Sequence, residues 1–255
     1  MWNWISKLED IRQSGEKAIL VTVTKCNGST PRAVGAKMIV QDGGRFFGSV
    51  GGGALEELAL KEARECLETL GTKTSLYPLC LRTGQCCGGS VELMMEVVNA
   101  GPNLYLFGAG HVGQAVCQTL EGTPFQVHLV DEREEWINAS GLPQEVLRHR
   151  CTWQEFVTRA PWNNDKTYVG VMTHSHFLDE EIISDVVARP ARYIGLIGSN
   201  TKWERFSMRL EKRGLKSESL KRVVCPIGTS KCGKAPKEVA ISFANQLLSL
   251  HYDAP

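Results

Sequence analysis

No stretch of this sequence approaches the roughly 20 consecutive apolar residues that cross a bilayer, and the first apolar run, residues 18–23, is too short for the core of a signal peptide. The expectation is a cytoplasmic protein without a membrane partner. Neither sign of charge is in excess: 29 Lys and Arg stand against 28 Asp and Glu, a formal net charge of +1. That balance carries no electrostatic footprint for nucleic acid or an anionic membrane. Zinc-type CxxC pairs are missing, as are internal repeats and low-complexity segments. The nine cysteines therefore read as buried fillers or reactive thiols in a reducing compartment rather than as a disulfide framework. These absences leave small molecules or a protein as the expected ligands.

At 255 residues the chain has room for one large domain or two modest ones, and its patterning changes along its length. An amphipathic helix over residues 2–12 precedes β-type runs at 18–24, 37–40 and 45–50. The triplet Gly51, Gly52, Gly53 interrupts them. Behind it Leu55, Leu58, Ala59, Cys66, Leu67 and Leu70 form a helical stripe, with Glu56 and Glu57 in the first turn. Two more strands are expected at 74–79 and 91–98. After the turn-rich NAGPN, residues 99–103, strands alternate with helical segments: strands at 104–107, 126–130, 146–148, 168–172 and 193–197, and a last helix at 236–250. We expect a smaller α+β domain over residues 1–99 and an α/β, Rossmann-like domain with a parallel sheet over 102–255. Its ligand crevices should lie at the carboxyl ends of the strands.

GAGHVG, residues 108–113, follows a strand and opens a helix, the setting in which Gly108, Gly110 and Gly113 permit a tight turn beside a phosphate-attracting helix start. Asp131 ends the next strand, roughly 20 residues on, where a carboxylate reaches a ribose hydroxyl; it is also placed to cap a helix. His111, inside the fingerprint, suits a helix start and counts among the candidate cofactor-binding residues. The Gly51–Gly53 triplet also precedes a helix and offers N–H groups to an anion, or is simply a flexible turn. In GSTPR, residues 28–32, Arg32 is either a bidentate clamp for phosphate or carboxylate or an exposed arginine. Cys86 and Cys87 precede Gly88 and Gly89. Neighbouring Cα atoms lie about 3.8 Å apart, too close for an ordinary disulfide, so the two act as separate thiols that could meet a metal or carry a persulfide, or are one buried cysteine and a bystander. In THSHFLDEE, His174 and His176 point the same way if they continue the preceding strand, and with Asp179 they could bind a metal or else cap the next helix. Gly198, Ser199 and Lys202 form another strand-to-helix junction suited to an anion.

In order along the chain, GSTPR, SVGGG, GQCCGG, GAGHVG with a later VDER, THSHFLD, YIGLIGS with Lys202, and CPIG at Cys225 resemble the motifs of XdhC-type xanthine dehydrogenase accessory proteins. The resemblance covers nearly the whole chain and departs from the family at TSKCGKAP, residues 229–236, onto which no role is carried. It implies a chaperone of purine catabolism and not an enzyme. Such a protein binds the molybdenum cofactor (molybdopterin) as cargo, holds it while a cysteine desulfurase supplies sulfur, and delivers it to apo xanthine dehydrogenase. The resemblance further implies that Cys86 or Cys87 approaches molybdenum or its dithiolene, Cys87 foremost, that the glycine turns cradle phosphate, and that Arg32, Asp131, His174 and His176 hold polar edges. A homodimer is the default assembly. The alternative is an NAD(P)-dependent oxidoreductase using GAGHVG and Asp131 in the ordinary way.

Overall fold

The computed structural model describes residues 4–14, 16–69, 71–79, 88–98, 101–229 and 233–253, so Cys86 and Cys87 lie outside the described residues. Contacts divide the chain into two compact units, Met1–Ala100 and Gly101–Pro255. No helix among the described residues is long and apolar enough to cross a membrane.

In the first unit, helix α1 (Trp4–Ser14) leads into strands β1 (Ala18–Asn27), β2 (Lys37–Gln41) and β3 (Phe46–Gly48), helix α2 (Gly53–Thr69), and strands β4 (Lys73–Pro78) and β5 (Ser90–Val98). The strands form an antiparallel sheet in the order β3-β2-β1-β5-β4. Alternation along β1 and β5 sends Ile19, Val21, Val23, Leu93 and Met95 to one face, where Leu55, Ala59, Ala63 and Cys66 of α2 cover them. Helix α1 seats Ile11 beside Ala18 and Ile39 in a smaller cluster.

The second unit begins with β6 (Asn103–Phe107), α3 (His111–Thr119), β7 (Gln126–Val130), α4 (Glu134–Ile137), β8 (Leu147–His149) and α5 (Trp153–Arg159). It continues with β9 (Asn163–Val171), α6 (His176–Val186), β10 (Ala191–Leu196), α7 (Asn200–Lys212), α8 (Ser217–Leu220), β11 (Val223–Val224) and α9 (Pro236–Tyr252). Six parallel strands are ordered β11-β10-β9-β6-β7-β8. In chain order this is the doubly wound 3-2-1-4-5-6 arrangement, with its switch point between β6 and β9. The architecture is the expected α/β class with a Rossmann-like parallel sheet. Its central strand is apolar on both faces because both are covered: Leu104 and Leu106 pack towards α3 and α9, Tyr105 and Phe107 towards α6 and α7. Thr152 and Glu155 form a reciprocal capping box that starts α5.

Candidate functional site

At the carboxyl end of β6, the GAGHVG turn is held by close backbone packing. Gly108 has φ +110°, and a Cβ there would lie 2.4 Å from Met172 O, while one on Gly113 would lie 2.0 Å from Gly108 O. Only glycine lets the turn sit against β9 and lets α3 sit against the turn. Gly110 plays a different part. It is the N-cap of α3 in extended backbone, no side chain caps the helix start, and nothing lies within 4 Å of a Cβ added there. The space above the positive end of α3 is therefore open to an anion. His111 is the first helical residue, its ring set edge-on to Trp136 at 5.1 Å.

Beside the turn lies a cavity of about 330 Å³ at the carboxyl ends of β6 to β9. Phe107, Trp153 and Leu178 supply apolar walls, and Asp131, Arg133, Cys151 and His174 supply polar groups. Burial pushes the Cys151 thiol up, so it stays protonated near neutrality. Arg133, Cys151 and Trp153 were not singled out from the sequence. The signal that finds Cys151 is its place just past the end of β8, the position that Asp131 holds after β7.

The carboxylate of Asp131 is fully engaged. Its Oδ1 accepts from the Arg133 backbone N–H at 3.0 Å and Nε at 2.9 Å, and its Oδ2 accepts from Arg133 Nη2 at 2.7 Å and the Ala109 N–H at 2.8 Å. Burial raises its pKa, but the Arg133 guanidinium and the two N–H groups outweigh that and hold the carboxyl below its ordinary range. In the structure Asp131 braces the fingerprint loop and fixes Arg133.

Strand β9 ends at Val171, and the chain folds into a turn in which the Thr173 hydroxyl accepts from the Ser175 N–H. Ser175 then caps α6 through its side chain, which accepts from the Leu178 N–H. His174 lines the cavity, whereas His176 is the first residue of α6 with its ring 6.4 Å from that of Phe206. Asp179 does not complete a metal site. It is 1% exposed, accepts from the Thr173 N–H and hydroxyl, and pairs with Lys202 Nζ at 2.7 Å. Among the described residues no group of three or more His, Cys, Asp or Glu is arranged for a metal. Lys202 also donates to Ile197 O, and Ser199 accepts the Lys202 N–H as the cap of α7. The ammonium that the sequence offered to an anion is thus neutralised inside the protein, and neither Ser199 nor Lys202 lines the cavity.

In the first unit three glycine-bearing motifs converge. A Cβ on Gly89 would lie 2.4 Å from Ser29 O and 2.5 Å from Asn27 O, and one on Gly51 would lie 2.6 Å from Pro31 Cγ. The GSTPR loop therefore clasps the Gly88–Gly89 backbone on one side and the SVGGG turn on the other. Arg32 is exposed, while its carbonyl accepts from the Cys26 thiol and the Thr30 hydroxyl. Gly52 donates its N–H to Glu56 Oε1 at 2.9 Å, so part of the cradle expected at Gly51, Gly52 and Gly53 is filled by the helix's own carboxylate.

Comparison with known proteins assigns both units. The XdhC Rossmann domain matches residues 104–247, and the XdhC and CoxI family matches residues 11–78. The chain is 27% identical over 241 residues to YqeB of Escherichia coli (strain K12), an uncharacterized protein, covering 92% of this chain and 44% of that one. It is 43% identical over 98 residues to the Escherichia coli (strain K12) molybdenum cofactor insertion chaperone PaoD, covering 36% of this chain and 30% of that one. The chain thus spans less than half the length of either curated relative. A Bacillus halodurans crystal structure described as a xanthine dehydrogenase shares the fold with a TM-score of 0.54 at 18% identity, covering 98% of this chain and 96% of that one. With the Rossmann-domain match extending over more than half of its residues, the chain belongs to the XdhC family.

Proposed function

We propose that the protein is a molybdenum cofactor chaperone: it binds the pyranopterin cofactor as cargo, holds it during sulfuration and passes it to an apo molybdoenzyme of the xanthine dehydrogenase type. The observation that carries this reading is the open, uncapped start of α3 beside a cavity with aromatic walls and a few polar groups. An anion cradle next to such a pocket suits a phosphate-bearing heterocycle. Family membership and the similarity to an insertion chaperone support the same reading.

In this proposal the α3 N-terminus and Gly110 of the second unit take the phosphate, and Arg133 and His174 face polar edges of the pterin; separately, Cys87 or Cys86 is the thiol offered to the sulfur-ligated metal. Gly88 and Gly89, which follow the double cysteine in the sequence, pack against the GSTPR loop that carries Arg32. Gly51, Gly53, His176, Ser199 and Lys202 act as supports. A cysteine desulfurase supplies the sulfur, the working form is a homodimer, and the protein turns over no substrate of its own. The NAD(P)-dependent alternative loses its ribose acceptor, because Asp131 is already saturated.

The test incubates the wild type and the Cys86→Ala/Cys87→Ala double variant with molybdopterin, then denatures both and quantifies pterin and molybdenum per chain. The wild type should retain cofactor and the double variant much less. Equal retention overturns the cysteine assignment; no retention by wild type, together with hydride transfer from NADH or NADPH, overturns the chaperone reading.

A further inference from the structure

A buried ion pair stands behind one wall of the cavity in the second unit. Thr173 and His174 supply that wall with Leu178 and Ile182 of α6, whereas neither Asp179 nor Lys202 lines it. The two oxygens of Asp179 divide their work. Oδ2 accepts from Lys202 Nζ at 2.7 Å, and Oδ1 accepts from the Thr173 N–H at 2.9 Å and from the Thr173 hydroxyl at 2.7 Å. Lys202 Nζ also donates to Ile197 O at 2.8 Å, just past β10, and lies 5.3 Å from the centre of the Phe206 ring.

Glycine makes room for the pair on both sides. A Cβ on Gly198 would lie 2.5 Å from Lys202 Cδ, so its absence lets the lysine stem turn inward. A Cβ on Gly108 would lie 2.9 Å from Thr173 Cα, so the residue that Asp179 grips also abuts the fingerprint turn. Stability alone does not call for two charges here. With the Asp179 side chain 1% and that of Lys202 12% exposed, desolvation opposes their attraction, and apolar residues of similar volume often fill such a place as well or better. An apolar pair has no acceptor for Thr173. Asp179 Oδ1 fixes both the N–H and the hydroxyl of the residue directly before His174.

We propose that Asp179 and Lys202 are positioning residues for the cavity: the carboxylate, held by the ammonium, sets the Thr173 backbone and with it the direction in which His174 meets a ligand. What that ligand is rests on the cofactor reading; the placement of His174 rests on the geometry alone. The pair touches no ligand itself and acts through the turn that carries the histidine.

Lys202→Met in the full chain is compared with two double variants built on it. Alone it leaves a carboxylate buried and unpaired, and should lower the unfolding temperature by about 6 °C or more. Adding Asp179→Leu should restore the unfolding temperature while leaving Thr173 without its acceptor. Adding Asp179→Asn should restore it and keep an oxygen for Thr173. Two signals are read from each: the His174 imidazole resonances of the unloaded chain, and the pterin retained per chain after incubation with molybdopterin. In the Leu variant the resonances should move and retention should fall about tenfold, the order of one lost charge-assisted hydrogen bond; in the Asn variant both should return towards wild type. Asp179→Ala in place of Leu removes the acceptor without added bulk and carries the same expectation if the Leu variant does not fold. Unmoved resonances or undiminished retention without the acceptor, or equal changes in the Leu and Asn variants, overturns the positioning role. Resonances that follow the expected order while the wild type retains no pterin support that role and refute only the cofactor reading.

Discussion

Replacing Asp131 with Asn tests whether this carboxylate is structural. The side chain is 7% exposed and its partner Arg133 27% exposed, and the substitution turns an NH2 donor towards a guanidinium that previously donated to both oxygens. Charge-assisted hydrogen bonds contribute about 1.5–3 kcal/mol each, less here because Arg133 retains some water and the bonds share one group. The expected loss is about 3 kcal/mol at neutral pH, near the lower bound for breaking a buried pair. At ~2–4 °C per kcal/mol that lowers the unfolding temperature of the second unit by about 6–12 °C. Calorimetry between pH 7 and pH 3 adds a second check. The folded-state pKa of Asp131 lies below its ordinary 3.8, so the stabilisation is present above that pH and fades as pH falls through and below it. The gap between wild type and variant should therefore narrow in acid. A loss below about 1 kcal/mol at pH 7, or a gap that does not change with pH, refutes the bracing role.

The glycines of the fingerprint should separate by position. Gly113→Ala, whose Cβ meets Gly108 O at 2.0 Å, should lose several kcal/mol or fail to fold, whereas Gly110→Ala, in open space and extended backbone, should cost less than about 1 kcal/mol in chemical denaturation. Similar costs for the two would contradict the packing account. His128, buried in β7 with Nδ1 3.1 Å from His149 Nε2, is pushed down to about 3 by burial and then by His149. Its neutral form is favoured in the fold, so the stabilisation is complete above pH 6.5 and is lost as pH falls towards 3. About 2 kcal/mol should go by pH 5, at 1.36 kcal/mol per pH unit, and His128→Gln should flatten that slope in urea titrations.

The elements were largely legible because their signals are local. Strand β6, helix α3 and strand β7 lie within a residue or so of the segments read from apolar runs and glycines. Strand β11 was missed, since two residues, Val223 and Val224, carry no periodicity of their own and become a strand only beside Ile194 and Gly195. The start of β9 was missed for a similar reason: the polar residues 163–166 carry no apolar run, so the strand was expected only at 168–172.

Side-chain partnerships were less legible. Asp179 meets Lys202 because β9 and β10 are neighbours in the sheet. The sequence by itself determined where the backbone must be glycine, which segments must bury a face, and hence the α/β class. Only the tertiary structure decided which charges are free to meet a ligand. Long polar side chains reach whatever the strand order brings near, so Asp131 and Lys202 were satisfied internally while Arg32 was left exposed.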